Sequence, residues 1–66
     1  MNLTIGEKIK IERIRAGLTQ KEVADQIGLN TAILSHIETG VVEPTKRTLE
    51  LIMKMIDRGG KETAHE

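Results

Sequence analysis

Apolar residues in the first third of the chain recur at helical intervals. Ile5, Ile9 and Ala16 fall on one stripe, and Ile11, Ile14 and Leu18 on an adjacent one. Thr4-Ile5-Gly6-Glu7 reads as a capping box, in which the threonine hydroxyl serves the backbone N–H three residues on and the glutamate reaches back. Gly17 is a natural stop. A first helix is therefore predicted from about Ile5 to Ala16. Thr19-Gln20-Lys21-Glu22 repeats the capping logic and opens a second helix, with Val23, Ala24 and Ile27 inward and Gly28 at its end. Asn30 suits the N-cap of a third helix, Thr31 to Thr39, which Gly40 closes. Thr45, after Pro44, caps a fourth helix reaching about Asp57 or Arg58. Leu49, Ile52, Met53 and Ile56 give that helix an i, i+3, i+4, i+7 stripe, and Leu51 and Met55 form a second apolar edge.

The expected architecture is all-α: one compact four-helix domain over residues 1–58, with room for at most a short fifth helix. Gly59-Gly60 and the polar KETAHE remainder make residues 59–66 a flexible tail in this reading. Neither an internal repeat nor an inter-domain linker is visible.

Composition narrows the class. A chain of 66 residues allows one modest core with little stability to spare. Cysteine is absent, so neither a disulfide framework nor a thiolate metal site is available. Aromatic residues are absent too, which removes the stacking platforms of single-strand binders. No apolar run approaches the roughly 18 residues of a membrane span, and the N-terminus lacks a signal-peptide pattern. A soluble protein of the cytoplasm is expected.

Catalysis finds no support. Ser35 and His36 are adjacent on a helix and point about 100° apart, which rules out a nucleophile–base pair. The glycines sit at turns rather than in a phosphate-cradling loop. His36, His65 and scattered carboxylates have no metal-ligand spacing, so neither a metal nor another cofactor is expected.

The connection between helices 2 and 3 is the most informative stretch. Three residues, Gly28-Leu29-Asn30, force a steep crossing rather than an antiparallel pair. Ala24 lets the backbones approach, and Gly28 takes the positive φ of the turn. Leu29, Leu34 and Ile37 are expected to bury against helices 1 and 4. Thr31, Ala32, Ser35, His36 and Thr39 then lie on the outer side, with Ile33 between the two faces. That outer set is small, polar and free of acid, and it suits a major groove about 12 Å wide.

Net charge is zero, which counts against nucleic acid. Its distribution softens the point, because five basic residues (Lys8, Lys10, Arg13, Arg15, Lys21) face one acid, Glu12, between positions 8 and 21. Lys46 and Arg47 form a second basic pair.

Residues 5–56 resemble the Cro/C1-type helix-turn-helix domain of phage repressors and related bacterial regulators, the lambda repressor-like fold. The carrying residues are Gly17-Leu18-Thr19-Gln20, Val23-Ala24, Ile27-Gly28 and Ile37-Glu38-Thr39-Gly40. The resemblance implies a phosphate contact for Gln20 at a helix N-terminus. It implies base-edge contacts for Thr31, Ala32 and His36, with Ser35 beside them facing the groove. Asn30, Thr39, Lys46 and Arg47 are expected near phosphates, and Arg13 with Glu38 matches an internal ion pair found in some phage repressors. Family members often carry glutamines where this chain has Thr31 and Ala32. Methyl contacts with thymine are expected there rather than amide readout of adenine.

The function implied is a transcriptional regulator, a repressor of phage or mobile-element type. It would bind palindromic double-stranded DNA as a homodimer, with no membrane and no cofactor involved. Leu51 and Met55 fit either the core or a small dimer seam. The alternative is an antitoxin that binds a toxin partner and also regulates its own operon. A helical bundle without DNA binding is the third reading, and zero net charge is its best argument.

Overall fold

Two identical devices start the first half of the molecule. In the computed structural model, which describes the backbone of residues 2–65 and the side chains of residues 2–59, Thr4 accepts from the Glu7 N–H while the Glu7 carboxylate accepts from the Thr4 N–H. Thr19 and Glu22 repeat the arrangement at the same distances, 2.8 and 3.0 Å. Helices α1 (Ile5–Arg15) and α2 (Gln20–Ile27) follow from these caps. Asn30 caps α3 (Thr31–Glu38) by accepting from the Ala32 N–H at 2.7 Å. Thr45 caps α4 (Lys46–His65) by accepting from Thr48 N–H at 3.0 Å. No strand occurs among the described residues, and none of their helices is long and apolar enough to cross a membrane.

The first three helices end alike. Past each, the N–H groups of a glycine and of the next residue bond back to carbonyls of the last turn: Gly17 to Ile14 and Leu18 to Arg13, Gly28 to Asp25 and Leu29 to Ala24, Gly40 to Ile37 and Val41 to His36. This closure satisfies otherwise orphaned carbonyls. At Gly28 the φ of 74° is what lets α3 leave α2 within three residues.

Ile9, Val23, Ala24, Leu34, Ile37, Ile52 and Ile56 form the core, with Leu18, Ile27, Leu29, Leu49, Met53 and Met55 partly buried around it. Helix α3 rests chiefly on α1 and α2, and α4 packs on the same two. Leu34 and Ile37 join one core with Ile9 of α1 and Ile52 and Ile56 of α4, with Leu29 packed against it, as expected. The short turn also keeps α2 and α3 in contact, so Val23 and Ala24 share that core.

The reading of α1 changes. Ile5, Ile11 and Ile14 are exposed, and the buried face is Gly6, Ile9 and Arg13. A Cβ at Gly6 would be driven into the Ile37 carbonyl oxygen and would sit 2.8 Å from that of Glu38. Glycine here permits the α1 backbone to lie against the last turn of α3, and that contact sets which residues of α1 face inward.

Helix α4 runs on through Gly59 to His65 rather than ending at Asp57 or Arg58. Gly59 is buried, and a Cβ there would come within 2.9 Å of Leu18 Cδ1. It marks a close approach between α4 and the α1–α2 connection, not a helix stop. The side chains of the remainder expected to fray, residues 60–66, lie outside those described.

The two glycines separate in a mutational test. Gly6→Ala sets a methyl against backbone carbonyls that cannot yield, and a loss of roughly 2–3 kcal/mol is expected. Thermal unfolding followed by circular dichroism should then show a midpoint lowered by roughly 10–20 °C in a domain of this size. Gly59→Ala meets only the Leu18 side chain, which can shift, and gains helix propensity, so its stability should stay within about 1 kcal/mol of the parent.

Candidate nucleic-acid interface

Successive residues on a helix turn by about 100°, so the burial of Leu34, Ile37 and Glu38 fixes the outward face of α3. Thr31, Ala32, Ile33, His36 and Thr39 are exposed and Ser35 is half-buried. Ile33, which the sequence left between the two faces, is 38% exposed. The outward surface has two flanks. Thr31, Ser35 and Thr39 line one, and Ala32, His36 and Ile33 line the other. No acid lies in the first turn of α3.

Behind this face is a closed polar network. Arg13 and Glu38, 8% and 3% exposed, form a two-pronged pair: Nε donates to Oε2 at 2.6 Å and Nη2 to Oε1 at 3.1 Å. Nη1 of Arg13 donates to the Leu18 carbonyl at 2.7 Å. Gln20 completes the set, its Nε2 donating to Glu38 Oε1 at 2.9 Å. No buried side-chain N or O lacks a partner among the described residues. The network ties the end of α1, the start of α2 and the end of α3 together at one point.

Several residues expected at a phosphate surface have duties inside the fold. Gln20 is half-buried and bonded to Glu38, which leaves one amide N–H and the amide oxygen for another partner. Asn30 uses its amide oxygen as the α3 cap and keeps its N–H donors. The Thr39 hydroxyl donates within its own helix, 3.1 Å from Ser35 O and 3.3 Å from His36 O, so its one proton is engaged. Lys46 and Arg47 are exposed at the first turn of α4 and make no ion pair among the described residues. Leu51 and Met55 are half-buried and line a shallow groove with Gln26, Ile27, Lys54 and Arg58.

The basic run between Lys8 and Lys21 contributes less than its count. Arg13 is neutralised inside, Lys21 pairs with Asp25 at 2.9 Å, and Arg15 lies 3.8 Å from Glu12. Lys8 and Lys10 remain exposed.

Sequence reasoning missed two positions. Gly6 had a legible signal, since a glycine in a first helical turn with no turn to make marks a close backbone approach. The Gln20–Glu38 bond had none, because it depends on a tertiary distance between helix ends.

Four helices, with α2 and α3 in contact across the three-residue turn Gly28-Leu29-Asn30 and an exposed, acid-free outward face on α3, define a helix-turn-helix module. The helix-turn-helix family model matches residues 9–59, most of the chain. The chain belongs to that family, of the Cro/C1 type with the lambda repressor-like fold, and is thus a DNA-binding helix-turn-helix protein of a regulatory family. No solved structure matches the chain.

Breaking the buried pair from one side strands a charge. Arg13→Met or Glu38→Leu alone is expected to lower stability by roughly 3–5 kcal/mol in chemical denaturation. The double replacement removes both charges and should recover most of that loss.

Proposed function

We propose that the chain is a sequence-specific transcriptional repressor of phage or mobile-element type, with α3 lying in the major groove of a palindromic operator. The carrying observation is the outward face of α3, exposed, free of acid, and held at its C-terminal end by the Arg13–Glu38–Gln20 network. Ala32 and His36, with Thr31 and Ser35 beside them, meet base edges. Gln20, Asn30, Lys46 and Arg47 hold the backbone, and Thr39 sits at the phosphate edge through its oxygen and methyl rather than as a donor.

Two copies bind half-sites about 34 Å apart, one helical turn of DNA. The half-buried Leu51 and Met55, beside Ile27, supply the apolar strip between the copies. Repression follows from occupying DNA that a polymerase needs. The antitoxin alternative has no separate observation in its favour.

Selection of bound sequences from random duplex DNA, followed by salt titration on the selected duplex, tests the reading. A short palindrome and a steep fall of affinity with salt are expected. Lys46→Ala or Arg47→Ala should each reduce the slope of log affinity against log salt by about 0.9 and weaken all sequences alike. His36→Ala should relax preference at one base pair and cost roughly 1–3 kcal/mol there, with little change in slope. Leu51→Glu should remove the advantage of the palindrome over a single half-site. Absence of salt-dependent binding to any duplex would sink the proposal.

A further inference from the structure

Among the described side chains, His36 alone is of a kind that changes charge between pH 5 and 8, because the chain has no cysteine and the His65 side chain lies outside those described. It is exposed on the outward face of α3, in the last turn, where the helix dipole favours a positive charge. Its ring makes no hydrogen bond or ion pair among the described residues. Charged groups on the elements around α3 are engaged elsewhere or simply exposed. On α1, Arg13 is closed on Glu38, Glu7 serves the Thr4 cap and Arg15 lies near Glu12, while Lys8 and Lys10 are exposed. On α2, Glu22 serves the Thr19 cap and Lys21 pairs with Asp25. Glu43, Lys46 and Arg47 follow α3, all exposed and without an ion pair among the described residues. An imidazole with both ring nitrogens free therefore projects from an acid-free face.

In a major groove such a ring lies between the phosphates of two strands, and nearby negative charge favours the charged form of a base. The neutral imidazole has one donor and one acceptor, whereas the imidazolium has two donors and no acceptor. Guanine is the base whose major-groove edge offers acceptors alone, N7 and O6. Adenine sets a donor beside its N7, cytosine presents a donor, and thymine sets its O4 beside a methyl. On the proposed groove docking, we infer that His36 is a proton-linked specificity residue, charged when bound and donating to the acceptor edge of a guanine, so that each half-site takes up a proton. Binding that takes up protons strengthens as pH falls. The regulator thus holds its operator more tightly, and selects guanine more sharply, on the acid side of neutrality.

The experiment uses the full chain and a duplex selected from random DNA at pH 6, with affinity measured from pH 8 to pH 6 at fixed ionic strength. The parent should tighten about five-fold per half-site, the effect of a phosphate environment that favours the imidazolium about tenfold. His36→Gln, neutral throughout, should lose this dependence. His36→Arg, charged throughout, should lose it as well and bind more tightly than His36→Gln at pH 8. His65→Gln should keep the parent's profile. The slope of log affinity against log salt should be steeper at pH 6 than at pH 8 by up to about 0.9 per half-site, in the parent and not in His36→Gln. Each guanine of a half-site is also replaced in turn by 7-deazaguanine, which lacks N7, and by 2-aminopurine, which lacks O6. At one position a replacement should weaken the parent more at pH 6 than at pH 8 and leave the pH profile of His36→Gln flat, so that ring and base are coupled.

A flat profile for the parent, or a pH dependence that survives His36→Gln or disappears in His65→Gln, overturns the inference while the regulator reading stands. A dependence carried by His36 that no guanine replacement alters overturns it too. If the parent binds no duplex at any pH, both readings fall. His36 is exposed, and glutamine and arginine favour a helix, so the His36 variants should unfold within a few degrees of the parent at either pH.

Discussion

A guanidinium and a carboxylate are buried together in a domain of 66 residues. Removing either ion from water costs several kcal/mol, and mutual attraction offsets this only where the remaining donors and lone pairs are filled. Here they are. The fork of Arg13 is divided between Glu38 and the Leu18 carbonyl, and Glu38 Oε1 takes a further bond from Gln20. Two apolar side chains of the same volume would give comparable stability. They would lack the directional bonds by which the pair joins α1 to the end of α3 and by which Gln20 adds the start of α2 to the same point.

Gly6 acts on the same spot from the backbone side. The carbonyls of Ile37 and Glu38 lie against the first turn of α1, so the end of α3 is held by main chain and side chain at once. The beginning of α3 has no comparable restraint. It is set by the Gly28 turn and by the Asn30 cap, both local. This polarity leaves the outward residues of the first turn clear of the network while the last turn is tied at its far end. A reading helix needs that combination, since a small error in angle displaces every base contact.

How much of this the sequence disclosed depended on the range of the interaction. All four caps were legible, because Thr4 with Glu7, Thr19 with Glu22, Asn30 and Thr45 act within three residues of themselves. The outward face of α3 followed from its period. What failed was the seating of α1. Ile5, Ile11 and Ile14 count as core in any apolar pattern, yet the inner face is completed by an arginine and a glycine that such patterns score as polar or neutral. Gly59 misled for a related reason, since a glycine that permits close approach and a glycine that ends a helix are the same letter. The site shows the same division. Exposure of Thr31, Ala32 and His36 was foreseeable, whereas the bond from Gln20 to Glu38 and the exposure of Ile33 required the helices in place.

Charge is where a sum misleads most. Equal numbers of acids and bases seem to argue against a polyanionic partner, but Arg13 is closed inside and Lys21 and Arg15 have acids beside them. What phosphates meet is local. Lys46 and Arg47 open α4 without an acid in its first turn, where the helix dipole disfavours cations by roughly 0.3–1 kcal/mol each at an exposed end. Folding alone would prefer aspartate or glutamate there. A phosphate at that turn reverses the conflict, because the unpaired N–H groups, the dipole and both side chains all favour an anion. Local disagreement between a residue and its helix, in a chain whose caps are otherwise consistent, is the expected signature of a position chosen for binding. By that criterion the start of α4 belongs with the outward face of α3 in the DNA-facing surface proposed for this chain.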